Sequence, residues 1–154
     1  MPSDPHVYVD ADACPVKAEV AKVAERHGLA VTYVANAWMP TPRGPRFRTQ
    51  VVTGAFDAAD DWIVERVVKD DVVITSDIPL ASRCLKSGAR VLGPSGKPFT
   101  DDNIGNALAT REIMADLRAH GVGGGPPPFG PRDRSRFLEA LELVVRAARR
   151  NAVP

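Results

Sequence analysis

Residues 71–92 read DVVITSDIPLASRCLKSGARVL. Within this stretch, 72–75 is a short apolar run of strand type, 79–87 opens on a proline and suits a short helix, and 89–92 returns to strand character. A strand, a short helix and a second strand make a crossover unit whose strands lie parallel. Asp77 stands just past the first strand.

The same alternation extends in both directions. Upstream, 7–10 (VYVD) and 30–34 (AVTYV) read as strands around an amphipathic helix over 16–27, with Val16, Val20, Val23 and Ala24 at helical spacing and Gly28 as its C-cap. Residues 37–49 hold three prolines and a glycine and read as a loop or flap; 50–53 (QVVT) resume a strand. A helix is predicted over 57–69, with Asp57 as N-cap and Asp60 closing a capping box. Downstream, the turn-rich GPSGKPFTDDN leads to a helix over 103–119 that should bury Ile104, Leu108, Ile113 and Leu117. Residues 121–131 (GVGGGPPPFGP) read as a Gly/Pro linker. Beyond it, a helix over 133–150 carries an apolar stripe of Phe137, Leu138, Leu141, Val144 and Val145, available to its own domain or to a second subunit in a homodimer. The expected architecture is one three-layer α/β/α domain with a mostly parallel central sheet, of Rossmann-like type.

Composition narrows the function classes. Twenty basic and nineteen acidic residues give a formal net charge of +1, which offers nucleic acid or anionic lipid no global attraction but leaves room for a local basic groove. No run approaches the ~18 apolar residues of a membrane helix, and the N-terminus lacks the pattern of a secretory signal; the expectation is a cytoplasmic protein without a membrane partner. Cys14 and Cys84 make neither a disulfide framework nor a zinc cluster. Cys14 precedes a helix that could activate a thiol, but a semi-buried structural role is favoured; Cys84 reads as core. His6, His27 and His120 show no ligand spacing. Neither glycine-rich segment has phosphate-loop spacing, and no dinucleotide fingerprint follows the first strand.

What remains is a set of aspartates. In a parallel α/β sheet, ligands bind outside the carboxyl ends of the strands. Asp10 ends the first strand, Asp12 lies in the loop after it, Asp57 and Asp60 open the helix after QVVT, and Asp77 follows VVIT, so all five are directed to one edge. Grouped carboxylates repel unless protons or cations intervene. Mg²⁺ and Mn²⁺ prefer oxygen ligands, and an ion so held can activate water for attack on a phosphate. The simpler reading gives each acid a local structural role, with Asp57, Asp60 and Asp77 as helix caps and Asp12 in an Asx-turn. The shared edge favours catalysis most for Asp10 and Asp77. Around them, Asn36, Thr75 and Ser76 are candidate phosphate or water contacts. Lys17, Arg46, Arg48 and Arg111 are candidate phosphate partners, with surface solvation as the plain alternative.

The blocks VDADACPVK (9–17), FDAADDWIV (56–64), VVITSDIPLASRCLKSGARVL (72–92) and GKPFTDDNI (96–104), with REIMADLR and GGGPPPFGPRDRSRF later, resemble the bacterial YaiI/YqxD family across nearly the whole chain. That family is grouped with PIN-like domains, which resemble metal-dependent nucleases. The resemblance implies a central sheet of about five strands. It also implies a nuclease-type site with acids after the first strand, at a central helix and after a later strand. Those acids match Asp10, Asp57 or Asp60, and Asp77, with Asp12 close by and Glu65 a weaker extra. The function so implied is a Mg²⁺- or Mn²⁺-dependent phosphodiesterase acting on RNA, with Asp10, Asp60 and Asp77 catalytic. A non-catalytic nucleic-acid- or protein-binding module and a small-molecule phosphatase are the alternatives.

Overall fold

A computed structural model describes residues 4–121 and 128–152, with side chains described to Arg150. The elements in chain order are β1 (Val7–Asp10), α1 (Lys17–His27), β2 (Val31–Ala35), β3 (Phe47–Val51), α2 (Ala58–Arg66), β4 (Val72–Ile74), α3 (Ile78–Lys86), β5 (Arg90–Leu92), β6 (Pro98–Phe99), α4 (Ile104–Ala119) and α5 (Pro131–Ala152). The sheet has six strands in the order β3-β2-β1-β4-β5-β6. All pair in parallel except β6, which runs antiparallel to β5.

Alternation along each strand divides the core in two. Val7, Val9, Val31, Tyr33, Val72 and Ile74 face α1 and α5, where Val20, Val23, Phe137, Leu141 and Val145 cover them. Tyr8, Val34, Val73 and Val91 face the other way, onto Ala59 and Ile63 of α2 and Leu80, Ala81 and Cys84 of α3. The result is the expected three-layer α/β/α arrangement with a mostly parallel sheet.

The departures from expectation have local causes. The third strand begins at Phe47, inside the predicted loop. Pro45 is the last proline of that loop, and Phe47 then pairs opposite Val31 and buries its ring. Helix α2 stops at Arg66 rather than 69 because the buried Asp71 carboxylate takes the Val68 backbone N–H at 3.0 Å, while Val67 turns to extended backbone. Asp57 stands at the N-cap position of α2, but its side chain makes no capping bond. Helix α4 buries none of its residues: Ile104 and Leu108 are half-buried, and Ile113 and Leu117 are exposed, because α4 packs mainly on α3 alone. The sheet gains β6 because Pro98 and Phe99 pair with Leu92 and Val91 inside the turn-rich connection.

Residues 122–127 of the predicted linker lie outside the described residues. Helix α5 starts at Pro131, two residues early, with proline in the first turn where its missing N–H costs nothing. Of its expected stripe, Phe137, Leu141 and Val145 are buried within the chain, joined by Ala148, while Leu138 and Val144 are half-buried. A homodimer through this helix would therefore use its outer face, where Leu143 is exposed.

Strand order positions the site. From β1 the chain steps outward through β2 to β3, then crosses back to β4 on the other side of β1. The switch point of the sheet thus lies between β1 and β4, which is where an open α/β sheet leaves a crevice.

Candidate active site

Asp10 is the last residue of β1, and Thr75 follows the last residue of β4. The strands are adjacent and parallel, so these positions meet at the crevice. The Thr75 hydroxyl donates to Asp10 Oδ2 at 2.8 Å, and the Asp77 N–H donates to Thr75 Oγ1 at 2.9 Å. Thr75 is buried and joins the two acids. Asp77 also caps α3, its Oδ1 accepting from the Leu80 N–H at 3.0 Å. The capping role expected as an alternative is therefore real, and it aims the side chain. Asp12 is fixed by the Asn36 N–H, which donates to its Oδ2 at 3.0 Å and ties the loop after β1 to the end of β2.

Asp10, Asp12, Asp60 and Asp77 line one open cleft of about 400 Å³, together with Asn36, Phe56, Ser76 and Arg111. Among the described residues, four aspartates face a single arginine there, and the electrostatics follow. Burial pushes the Asp10 carboxyl above its usual range; the Thr75 hydrogen bond opposes this, while Asp77 and Asp12 add to it. Asp60 is pushed up to about 6, first by burial and then by the charges of Asp77, Asp10 and Asp57. A carboxyl that titrates near neutrality in a cleft is suited to proton transfer.

The other expected residues are distributed as follows. Asp57 is exposed and acts on Asp60 by charge without lining the cleft. Lys17 opens α1, where its carbonyl accepts from the Tyr33 hydroxyl at 2.9 Å, and it does not line the cleft. Arg46 donates to the Gly28 carbonyl at 2.8 Å beside the start of β2, at the opposite end of the sheet. Arg48 bonds Gln50 along β3 at 2.7 Å. Neither arginine is brought to the cleft. Glu65 is exposed and pairs with Arg66. Burial raises the Cys14 thiol and pushes Cys84 up to about 12, as befits structural thiols.

Sequence reasoning missed Phe56, whose ring stands 98% exposed at the cleft. An aromatic side chain just before a helix start reads in sequence as a packing residue. Its position beside Asp57 and Asp60 was the available clue.

The donor set suits a hard divalent ion, since every charged donor is a carboxylate oxygen. Asp10, Asp12 and Asp77 each leave one oxygen without a protein donor among the described residues. Among the described residues, however, no three His, Cys, Asp or Glu side chains are grouped closely enough to hold a metal directly. The fit is therefore to an ion that keeps several waters and takes one or two carboxylates, the usual habit of magnesium.

No described helix is long and apolar enough to cross a membrane. The model of the family described as "Uncharacterized BCR, YaiI/YqxD family" matches residues 8–147. A "UPF0178 protein" of Rhodopseudomonas palustris (strain BisB5) is 56% identical over 155 residues, covering 99% of this chain and 94% of that protein. One from Rhodospirillum rubrum is 56% identical over 146 residues, covering 94% and 97%. One from Agrobacterium fabrum is 52% identical over 151 residues, covering 97% and 99%. No solved structure matches significantly.

Proposed function

We propose that this chain, which belongs to the YaiI/YqxD family, is a PIN-like, Mg²⁺- or Mn²⁺-dependent phosphodiesterase that hydrolyses RNA. The observation that carries the reading is the cleft at the sheet's switch point, lined by Asp10, Asp12, Asp60 and Asp77 with one arginine. Asp10 and Asp77 would hold the ion, with Asp12 and Asp60 reaching it through bound water. Bound there, the ion would supply a polarised phosphate oxygen and an activated water.

The chain's own side chains account for the remaining needs of the reaction. Thr75 holds the Asp10 carboxylate in place through its hydroxyl. Asp60, which keeps a proton to about pH 6, takes the proton of the attacking water at its carboxylate oxygen when ionised. Arg111 faces the four acids and pairs with the substrate phosphate, and the Ser76 hydroxyl adds a neutral donor. The exposed Phe56 ring offers a face for an unpaired base.

The test is a panel of single-stranded RNA, single-stranded DNA, nucleotides and sugar phosphates incubated with Mn²⁺. Cleavage of internal phosphodiester bonds in RNA is the expected result. Release of inorganic phosphate from small substrates would make the protein a phosphatase, and binding of RNA without cleavage would make it a binding module.

A further inference from the structure

A second concavity of about 540 Å³ lies between α3, β6 and α4, and Arg111 lines both it and the acidic cleft. Lys97, Arg111 and Arg118 line it, and no acidic residue among the described ones does. None of the three cations is ion-paired among the described residues. On a protein of net charge +1, this is a local excess of positive charge beside a local excess of negative charge. The walls also hold the half-buried Phe99 ring and the exposed Met114 side chain.

Arg111, Met114 and Arg118 recur at three- and four-residue spacing, so they occupy one face of α4. Arg111 and Arg118 are two turns apart, about 10 Å along the helix axis. That is the length of about three nucleotides at a stacked rise of about 3.4 Å. Two cations set apart in this way, with an aromatic ring and a thioether between the helix and β6, match alternating phosphates and bases. Asn106 adds an amide that can both donate to and accept from a ribose 2′-hydroxyl.

We infer that the groove between α3, β6 and α4 is the binding track for single-stranded RNA next to the scissile phosphate. Phosphates lie on Lys97, Arg111 and Arg118, and a base lies on Phe99 and Met114. Arg111, shared by the groove and the cleft, passes the strand into the acids. The inference deepens the phosphodiesterase reading and rests on it for what happens to the strand afterwards. Binding itself is measurable without catalysis. It also sets the substrate as a polynucleotide, since a mononucleotide or sugar phosphate in the cleft would leave the groove empty.

The experiment is fluorescence anisotropy of a 5′-labelled ten-nucleotide single-stranded RNA of mixed sequence, in EDTA, with wild-type protein, the K97A/R118A variant and the D10N/D77N variant. Both substitutions in the first variant are on exposed side chains, and circular dichroism of each variant serves as the folding control. The expected result is at least a fivefold weakening for K97A/R118A, with D10N/D77N binding as well as wild type or better. The same sequence as DNA is expected to bind several-fold more weakly. Equal affinity of wild type and K97A/R118A overturns the inference, as does equal affinity for DNA. Displacement of the RNA by polyglutamate as effectively as by unlabelled RNA at equal charge would overturn it in favour of an acidic peptide. If RNA binds through the groove but is never cut with Mn²⁺, the phosphodiesterase reading fails and the groove stands. If K97A/R118A cuts RNA with an unchanged KM, the groove fails and the phosphodiesterase reading stands.

Discussion

The Thr75 hydroxyl donates to Asp10 Oδ2 at 2.8 Å and so joins the ends of β4 and β1. Asp77 follows two residues later and donates its own N–H to the Thr75 hydroxyl oxygen at 2.9 Å. One buried threonine therefore sets the relative position of the two acids on which the proposed chemistry depends.

Replacing Thr75 by valine keeps the shape and removes the hydroxyl. The Asp77 N–H and Asp10 Oδ2 then lose their partner, a cost of about 1–3 kcal/mol. The Thr75 bond opposes the upward push of burial on Asp10, so its loss raises that carboxyl further. Carbon-detected NMR titration of Asp10 should show the rise in T75V and its reversal in T75S, with chemical denaturation measuring the stability.

Asp60 in metal-free protein yields a pH prediction of definite sign. Its folded-state carboxyl is raised from 3.8 to about 6, so between those values the folded chain binds the proton more tightly than the unfolded chain. Stability contributed by this group is full below about pH 4, falls as pH rises to about 6 and stays low above it. D60N should therefore stabilise the protein at pH 8 in EDTA, by about 1 kcal/mol after allowance for solvent screening. The gain should disappear near pH 4. Denaturant midpoints at the two pH values check it.

Glu142 ties α5 to α1. It accepts from His27 at 2.8 Å and from Arg146 at 2.7 Å, with Arg26 at 3.2 Å. Burial alone would raise its carboxyl, but the His27 and Arg146 hydrogen bonds and charges hold it below the usual range. A depressed carboxyl stabilises the fold above its unfolded-state value, and that contribution is lost as pH falls through the folded-state value. E142Q should cost about 1–2 kcal/mol near pH 7. The difference from wild type should shrink in acid, and hydrogen exchange should show α5 opening more often.

Gly96 has φ +90°, and a Cβ there would sit 2.8 Å from the Arg136 carbonyl oxygen of α5. G96A combines left-handed strain with a backbone clash, and should cost about 2 kcal/mol or more. A shift of the thermal midpoint by less than about 2 °C would show that the turn yields freely.

The sequence made the α/β alternation legible because the strands are short apolar runs bounded by turns, and the helices carry clear periodicity. Val20, Val23 and Ala24 are buried as their spacing implies, and Gly28 adopts the left-handed cap. Tertiary partners decided the rest. Phe47 joins the sheet because β2 supplies a ladder, which local composition does not reveal. Ile113 and Leu117 have the spacing of buried residues but no layer above them. The strand-end rule located Asp10 and Asp77, and it located Asp60 by way of the helix that follows the third strand. It did not separate Arg111 from Arg46 and Arg48, because a cation's place on a loop or helix surface follows from packing. Gly96 belongs to a glycine-rich segment without phosphate-loop spacing, and its glycine serves a close approach to α5.

Isothermal titration of Mn²⁺ into wild-type protein and into D10N/D77N tests the central claim most directly. Wild type should bind the ion in a saturable, near-stoichiometric event, and the double variant should lose at least tenfold in affinity while remaining folded. Equal binding by the two proteins, or no binding by wild type at millimolar Mn²⁺, would contradict a metal-dependent site at the Asp10–Asp77 cleft.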